Sequence, residues 1–187
     1  NSAKAKTDLE ELGLKGNIKS LLENTYEYTG SFESPIRGNG LPQEVAIHFN
    51  KEGNIIIRNN KSSINLKFLT TYTYDDKARK KSEVSQTFFQ QGNPHITKST
   101  YHYDQKGNLI EIKTFNEVND LIYKSVMKFD NNGNKIEESE IYADGTINRN
   151  EKFKYDSKNI LIESQQVYKG RMENKSEYIY DNNNRLT

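Results

Sequence analysis

From His48 to its last residue the chain repeats one short phrase at near-constant spacing, and this periodicity limits the possible fold more than any other feature. The phrase is clearest from Tyr101 to Glu111, Y-H-Y-D-Q-K-G-N-L-I-E: two tyrosines one residue apart, an Asp-x-x-Gly turn, an Asn and an apolar pair ending in Glu. Counted at the residue before each turn, Phe49, Tyr74, Tyr103, Phe129, Tyr155 and Tyr180 are separated by 25, 29, 26, 26 and 25 residues, a period of about 26. The chain is therefore an array of one small unit, not a fold built around one special site.

The turns are Asn50 to Asn54, Asp75 to Arg79, Asp104 to Asn108, Asp130 to Asn134, Asp156 to Ile160 and Asp181 to Arg185. Asp at the first position accepts bonds from the backbone ahead of it, and the residue three on needs positive φ, which Gly and then Asn tolerate best. Asp104, Asp130, Asp156 and Asp181, with Gly107 and Gly133, are therefore turn-forming residues. Ala78 alone departs from the rule. A second turn is expected in each unit at Asn59-Asn60, Gly92-Asn93, Asn119-Asp120, Asp144-Gly145 or Lys169-Gly170. Between turns, β-branched and aromatic residues alternate with polar ones, so each unit holds two strands. Six units give about twelve strands, and connections this short make an all-β antiparallel meander.

Counting back from the turn sets Tyr103 opposite Leu109, His102 opposite Ile110 and Tyr101 opposite Glu111. The same count downstream sets Met127 opposite Glu137 and Phe153 opposite Glu163. One face then carries aromatics mixed with Glu, and the other Ile110, Ile136 and Ile162 beside His102, Lys128 and Lys154. Neither face suits a dry interior. The expected sheet is largely single-layer, twisted and curled, with Tyr rings and Lys and Glu stems shielding its faces.

Composition agrees with a thin core. Leu, Ile, Val and Phe supply 42 of 187 residues, just above the level of about 20% below which disorder is expected. A net charge of +1 and 20 aromatics, 12 of them Tyr, still favour order. The near-neutral balance gives no footprint for nucleic acid, and no apolar run is long enough to span a membrane as a helix. Absence of cysteine excludes a Cys nucleophile and Cys-ligated metal. The chain opens Asn1-Ser-Ala-Lys-Ala-Lys6 without Met, which suits either a mature exported protein or a piece of a longer one with room for a lipid-anchor Cys upstream.

Residues 1–15 read as a flexible leader and a short capping helix. Thr7 is the N-cap, Glu10 completes a capping box, and Leu9, Leu12 and Leu14 are expected to cover the end of the array. Residues 16–187 read as one β-repeat domain whose degenerate first unit, 16–50, carries a long loop at 30–42. That loop holds Arg37 and is either a solvated insertion or a binding loop.

The segment Tyr178-Ile-Tyr180-Asp181-Asn-Asn-Asn184-Arg185-Leu186-Thr187 resembles the YD repeat of the RHS family, Y-x-Y-D-x-x-G-R-L-T, with Asn184 in the Gly place. Tyr101 to Leu109 is similar, with Asn108 in the Arg place, and the likeness covers roughly His48 to Thr187. The resemblance implies curved β-sheets in secreted and cell-surface settings, including carbohydrate-linked adhesion. The chain is too short for the toxin-enclosing shell of large members and lacks their protease signature, so a surface-exposed scaffold is what carries over. Asp8 to Gly16 also resembles leaders of exported repeat proteins of Gram-negative gut bacteria.

No catalytic constellation emerges. His48, His95 and His102 share no ligand spacing, the repeated acids recur because the turn needs them, and the Gly of Asp130 to Asn134 falls in the wrong place for a calcium loop. The sequence thus leads to a non-enzymatic, cofactor-free scaffold, secreted, periplasmic or attached to an outer membrane, that binds carbohydrate or a surface protein. Tyr101, Tyr103, Tyr155, Tyr178, Tyr180 and Arg37 are its candidate contact residues. The alternative is an assembly protein, monomeric or weakly associating edge to edge, whose terminal strand pairs with a partner strand.

Overall fold

The computed structural model describes residues 6–38, 43–62, 66–89, 91–181 and 185–186. Residues 1–5 of the expected leader, 39–42 of the expected loop and Asn184 of the last turn lie outside them. One helix, α1 (Asp8–Glu11), precedes fourteen strands: β1 (Ser20–Thr25), β2 (Tyr28–Ser31), β3 (Ser34–Arg37), β4 (Gln43–Phe49), β5 (Ile55–Lys61), β6 (Lys67–Tyr74), β7 (Lys80–Phe88), β8 (His95–Tyr103), β9 (Leu109–Phe115), β10 (Leu121–Phe129), β11 (Lys135–Tyr142), β12 (Ile147–Tyr155), β13 (Leu161–Tyr168) and β14 (Arg171–Glu177). Twelve form one open antiparallel meander in the order β1-β4-β5-β6-β7-β8-β9-β10-β11-β12-β13-β14, while β2 and β3 pair separately. The chain divides into two compact units, Asn1–Lys98 and Ser99–Thr187.

In the first unit Thr7 caps α1 as expected, with Glu10 Oε2 accepting from Thr7 N at 2.7 Å. The helix spans one turn and seats on the Asn50 to Asn54 turn, not on a sheet edge. Leu9 N donates to Gly53 O at 3.0 Å, and Asp8 Oδ2 accepts from Ile55 N at 2.7 Å and from the Tyr74 hydroxyl at 3.0 Å. Leu9 is buried with Ile47 and Phe49, flanked by Leu14, Ile18, Leu21, Val45 and Ile55. Leu12, expected to join them, is 44% exposed, because a one-turn helix brings only Leu9 down onto the strands.

The expected loop at 30–42 contains paired strands within its described residues. Gly30 pairs with Pro35 and Ser31 with Ser34, so β2 and β3 make a hairpin exposed along its whole length. The expected turn at Asn59-Asn60 instead lies inside β5, whose two Asn pair with Ala46 and Val45. The reversal comes later, where Ser62 N donates to Leu66 O at 2.9 Å. Asn is a poor strand former by propensity, but ladder bonds on both sides override that preference.

The structure revises the register in one systematic way. Directly after four of the turns the count holds: Phe49 faces Ile55, Tyr74 faces Lys80, Phe129 faces Lys135 and Tyr155 faces Leu161. One extra residue on the outgoing strand, Ile56, Lys81, Ile136 or Ile162, then forms a bulge. Glu137 therefore faces Lys128 instead of Met127, and Glu163 faces Lys154 instead of Phe153. A one-residue shift moves every side chain beyond it to the other face.

The substantial contacts between elements join ladder neighbours, as in a single layer. In the second unit only Met127, Ser99 and Thr114 are buried among the described residues, and the two hydroxyls meet at 3.1 Å. Most other residues of β8 to β13 are half-buried.

Candidate binding surface

The turns place the candidate side chains. In the turn after β8, Asp104 Oδ1 accepts from Asn108 N at 2.8 Å and Oδ2 from Asn108 Nδ2 at 2.9 Å, while Gly107 holds φ 94°. Asp130 and Asn134 repeat this clamp at 2.8 and 2.9 Å. Arg79 and Arg185 close it on Asp75 and Asp181 through Nε, at 2.8 Å each, and Asp156 accepts from the backbone N of Lys158 at 2.8 Å and of Ile160 at 2.9 Å. The Asn side-chain amides, aided by backbone donors, hold the Asp104 and Asp130 carboxyls below their usual pKa. Both oxygens of these groups are already engaged as acceptors, which accounts for the recurrence of Asp by the demands of the turn.

The clamp is broken in the first unit. Asn50 Oδ1 still accepts from Asn54 N at 2.9 Å, but its second side-chain atom is a nitrogen where the sister turns carry oxygen. Asn54 Nδ2 is buried without a partner.

Strand alternation, the His102–Glu111 contact and the ladder register place Tyr101, Tyr103 and Tyr155 on one face of the second unit, and Tyr178 joins them beside Ser164; these four and Tyr180 are each half-buried. Two of their hydroxyls are committed to bonds within the sheet. Tyr155 donates to Lys135 O at 3.0 Å, and Tyr178 meets Ser164 Oγ at 3.1 Å. Tyr74 makes the bond equivalent to that of Tyr155, to Ile55 O at 2.6 Å, so the tyrosine before a turn fastens its strand to the preceding hairpin. The acids on the tyrosine face of β10 to β12 are Glu138, opposite Met127, Glu140, opposite Ser125, and Glu151, opposite Glu138. Arg37 belongs to the first unit, where its exposed guanidinium stacks over Tyr26, 3.6 Å from the ring centroid.

The other face carries a charge ladder that sequence reasoning misassigned. Lys128 Nζ lies 2.7 Å from Glu137 Oε2, Lys154 Nζ 2.8 Å from Glu163 Oε1, and His102 Nδ1 3.7 Å from Glu111 Oε2. The Lys128 ammonium first, then Asn150, keeps the Glu137 carboxyl below its usual pKa, and Lys154 does the same for Glu163. The signal was present in the sequence, because each base precedes its acid by nine residues in three successive units. In the first unit a groove of about 940 Å³ runs between α1 and the Asn50 to Gly53 turn, lined by Leu9, Leu14, Ile18 and Phe49 with Lys15 and Lys51. Its existence depends on the helix docking, which no local motif announces.

Among the described residues no three His, Asp or Glu side chains converge as metal ligands, and no helix is long and apolar enough to cross a membrane.

No protein-family model and no curated protein matches the chain. Among solved structures it is similar to a chain in the crystal structure of TcdB2-TccC3-Cdc42, at 10% identity and a TM-score of 0.30. The match covers 91% of this chain but 12% of the other, so this chain spans about an eighth of its length. That TM-score lies below the level at which a common fold is inferred.

Proposed function

We propose that this chain is a non-catalytic binding scaffold, working outside the cell or at its surface, that presents the tyrosine face of its second unit to a glycan or a surface protein. The observation that carries the reading is the half-burial of Tyr101, Tyr103, Tyr155, Tyr178 and Tyr180 on a sheet over which no second layer lies among the described residues. Rings held by ladder neighbours, and at Tyr155 and Tyr178 also by a bond at the hydroxyl tip, lose little freedom when a ligand stacks on them, and partly wet aromatic faces suit both sugar rings and protein side chains. The flanking Glu138 and Glu151 supply acceptors for ligand hydroxyls or amides.

The test is an array of glycans and purified envelope proteins probed with the labelled chain and with a Tyr101→Ala/Tyr103→Ala variant. Saturable retention that the variant loses is the expected result. Retention unchanged in the variant, absence of any saturable partner, or chemical conversion of a bound ligand would each overturn the reading.

A further inference from the structure

The hairpin of β2 and β3 is closed as a unit of its own. Ser31 pairs with Ser34 around a two-residue tip, Phe32-Glu33, while at the base Gly38 N donates to Glu27 O at 2.8 Å and Arg37 stacks over Tyr26. Gly30 holds φ 97°, and a Cβ at that place would stand 2.6 Å from Ser34 O, so the two strands come this close only with Gly there. A lone two-stranded hairpin is marginal in water and gains stability by lying against an apolar surface. Its own apolar residues find little such surface among the described residues. Phe32 is fully exposed, and Ile36 and Tyr28 are mostly exposed.

We propose that the Phe32-Glu33 tip of one copy of this chain seats in the groove between α1 and the Asn50 to Gly53 turn of a second copy. That groove, of about 940 Å³, has room for the tip as a whole, and Leu9, Leu14, Ile18 and Phe49 give the Phe32 ring an apolar wall. Covering one such ring removes about 150–250 Å² from water. Charge argues for this occupant over a purely apolar one. Lys15 and Lys19 line the groove, are exposed, and make no ion pair among the described residues. The acids of the groove are already engaged, Glu10 with Thr7 and Glu52 with Lys51. The groove thus offers two unanswered cations beside an apolar wall. The tip offers an apolar ring followed directly by Glu33, a carboxylate that also makes no ion pair among the described residues.

Tip and groove are different surfaces, so the contact is heterologous and copies add head to tail. Their places in the first unit suit such growth. The β1–β4 ladder pairs Thr25 with Gln43 at the end that leads to the hairpin and Ser20 with His48 at the end beside the groove. Five residues of strand separate those ends by about 17 Å, so a copy joined at one end keeps the other open. Neither element includes the tyrosines of the second unit, and the inference does not depend on what those bind.

Sedimentation of the 187-residue chain at low ionic strength tests this. The unaltered chain is expected to associate beyond the dimer as its concentration rises, and Phe32→Ala is expected to abolish that association. Glu33→Lys, and separately Lys15→Glu/Lys19→Glu, set like charges together at the contact and should each raise the dissociation constant roughly tenfold. All three positions are exposed, so the fold should tolerate both variants. An equimolar mixture of the two sets the altered tip against the altered groove and the unaltered tip against the unaltered groove. It is expected to recover association, which misfolding of either variant would prevent. A strictly monomeric unaltered chain, a Phe32→Ala variant that associates as before, or a mixture without recovery would each overturn the proposal.

Discussion

Lys128 lies directly opposite Glu137 across β10 and β11, with its Nζ 2.7 Å from Oε2. One unit on, Lys154 stands in the same relation to Glu163. Both pairs exist because each turn is followed by a bulge that turns the acid away from the aromatic face. The unit of this protein is thus a turn, a clamp and a one-residue shift, and the first predictions concern the parts separately.

Ala78 occupies the left-handed position of its turn with φ 60°, where Gly107 and Gly133 stand in sister units with φ 94° and 88°. A Cβ there costs about 1–2 kcal/mol in backbone strain and the added freedom of the unfolded chain offsets about 0.4–1 of that, so Ala78→Gly is expected to stabilise by about 0.5–1 kcal/mol. Gly133→Val should cost about 2 kcal/mol or more, although no atom lies within 4 Å of where its Cβ would stand, because a β-branched residue is penalised at positive φ. Equal shifts in urea melts would refute the assignment of this position.

Asn50→Asp should also stabilise, by about 1–2 kcal/mol, because it supplies the acceptor that the buried Asn54 Nδ2 lacks. The converse change, Asp104→Asn, should lower the melting temperature by recreating the broken clamp at Asn108. An unchanged or lower stability for Asn50→Asp would show that Asn54 is satisfied in some other way.

Much of this organisation is legible in the sequence, since the period, the turns and the alternation are local rules written residue by residue. The capping box at Thr7 and Glu10 and the left-handed turn positions belong to that class. The features that escaped are those that depend on neighbours. The bulge at Ile136 has no turn-residue signature, and Asn59 and Asn60 read as a turn until two ladder partners hold them extended. The hairpin of β2 and β3 was hidden by its Gly and Pro, which mark breaks but tolerate an isolated pair. The same limit misplaced part of the candidate surface: the tyrosines were found, but their opposing acids were assigned through the wrong register.

The pH dependence follows from carboxyls whose folded pKa is depressed, Asp104 and Asp130 by Asn amides, Glu137 and Glu163 by lysines. A depressed carboxyl contributes stability that is fully present above its unfolded pKa and is lost as pH falls through its folded pKa. Melting temperature should therefore fall progressively below about pH 4, near the ordinary carboxylate values. An Asp130→Asn variant should show a shallower acid decline than the unaltered chain. Identical declines would remove the clamp from the explanation.

The repeating register itself is tested most directly by paired cysteines, for which the absence of native cysteine gives a clean background. Side chains directly opposite on one face of an antiparallel ladder come within reach of a disulfide, whereas side chains on opposite faces do not. Lys128→Cys/Glu137→Cys and Lys154→Cys/Glu163→Cys are expected to cross-link under mild oxidation, read as loss of free thiol without dimer on a denaturing gel. Met127→Cys/Glu137→Cys and Phe153→Cys/Glu163→Cys should remain reduced. Cross-linking of the second set with the first unreactive would contradict the bulge, and with it the repeated hairpin unit on which the account rests.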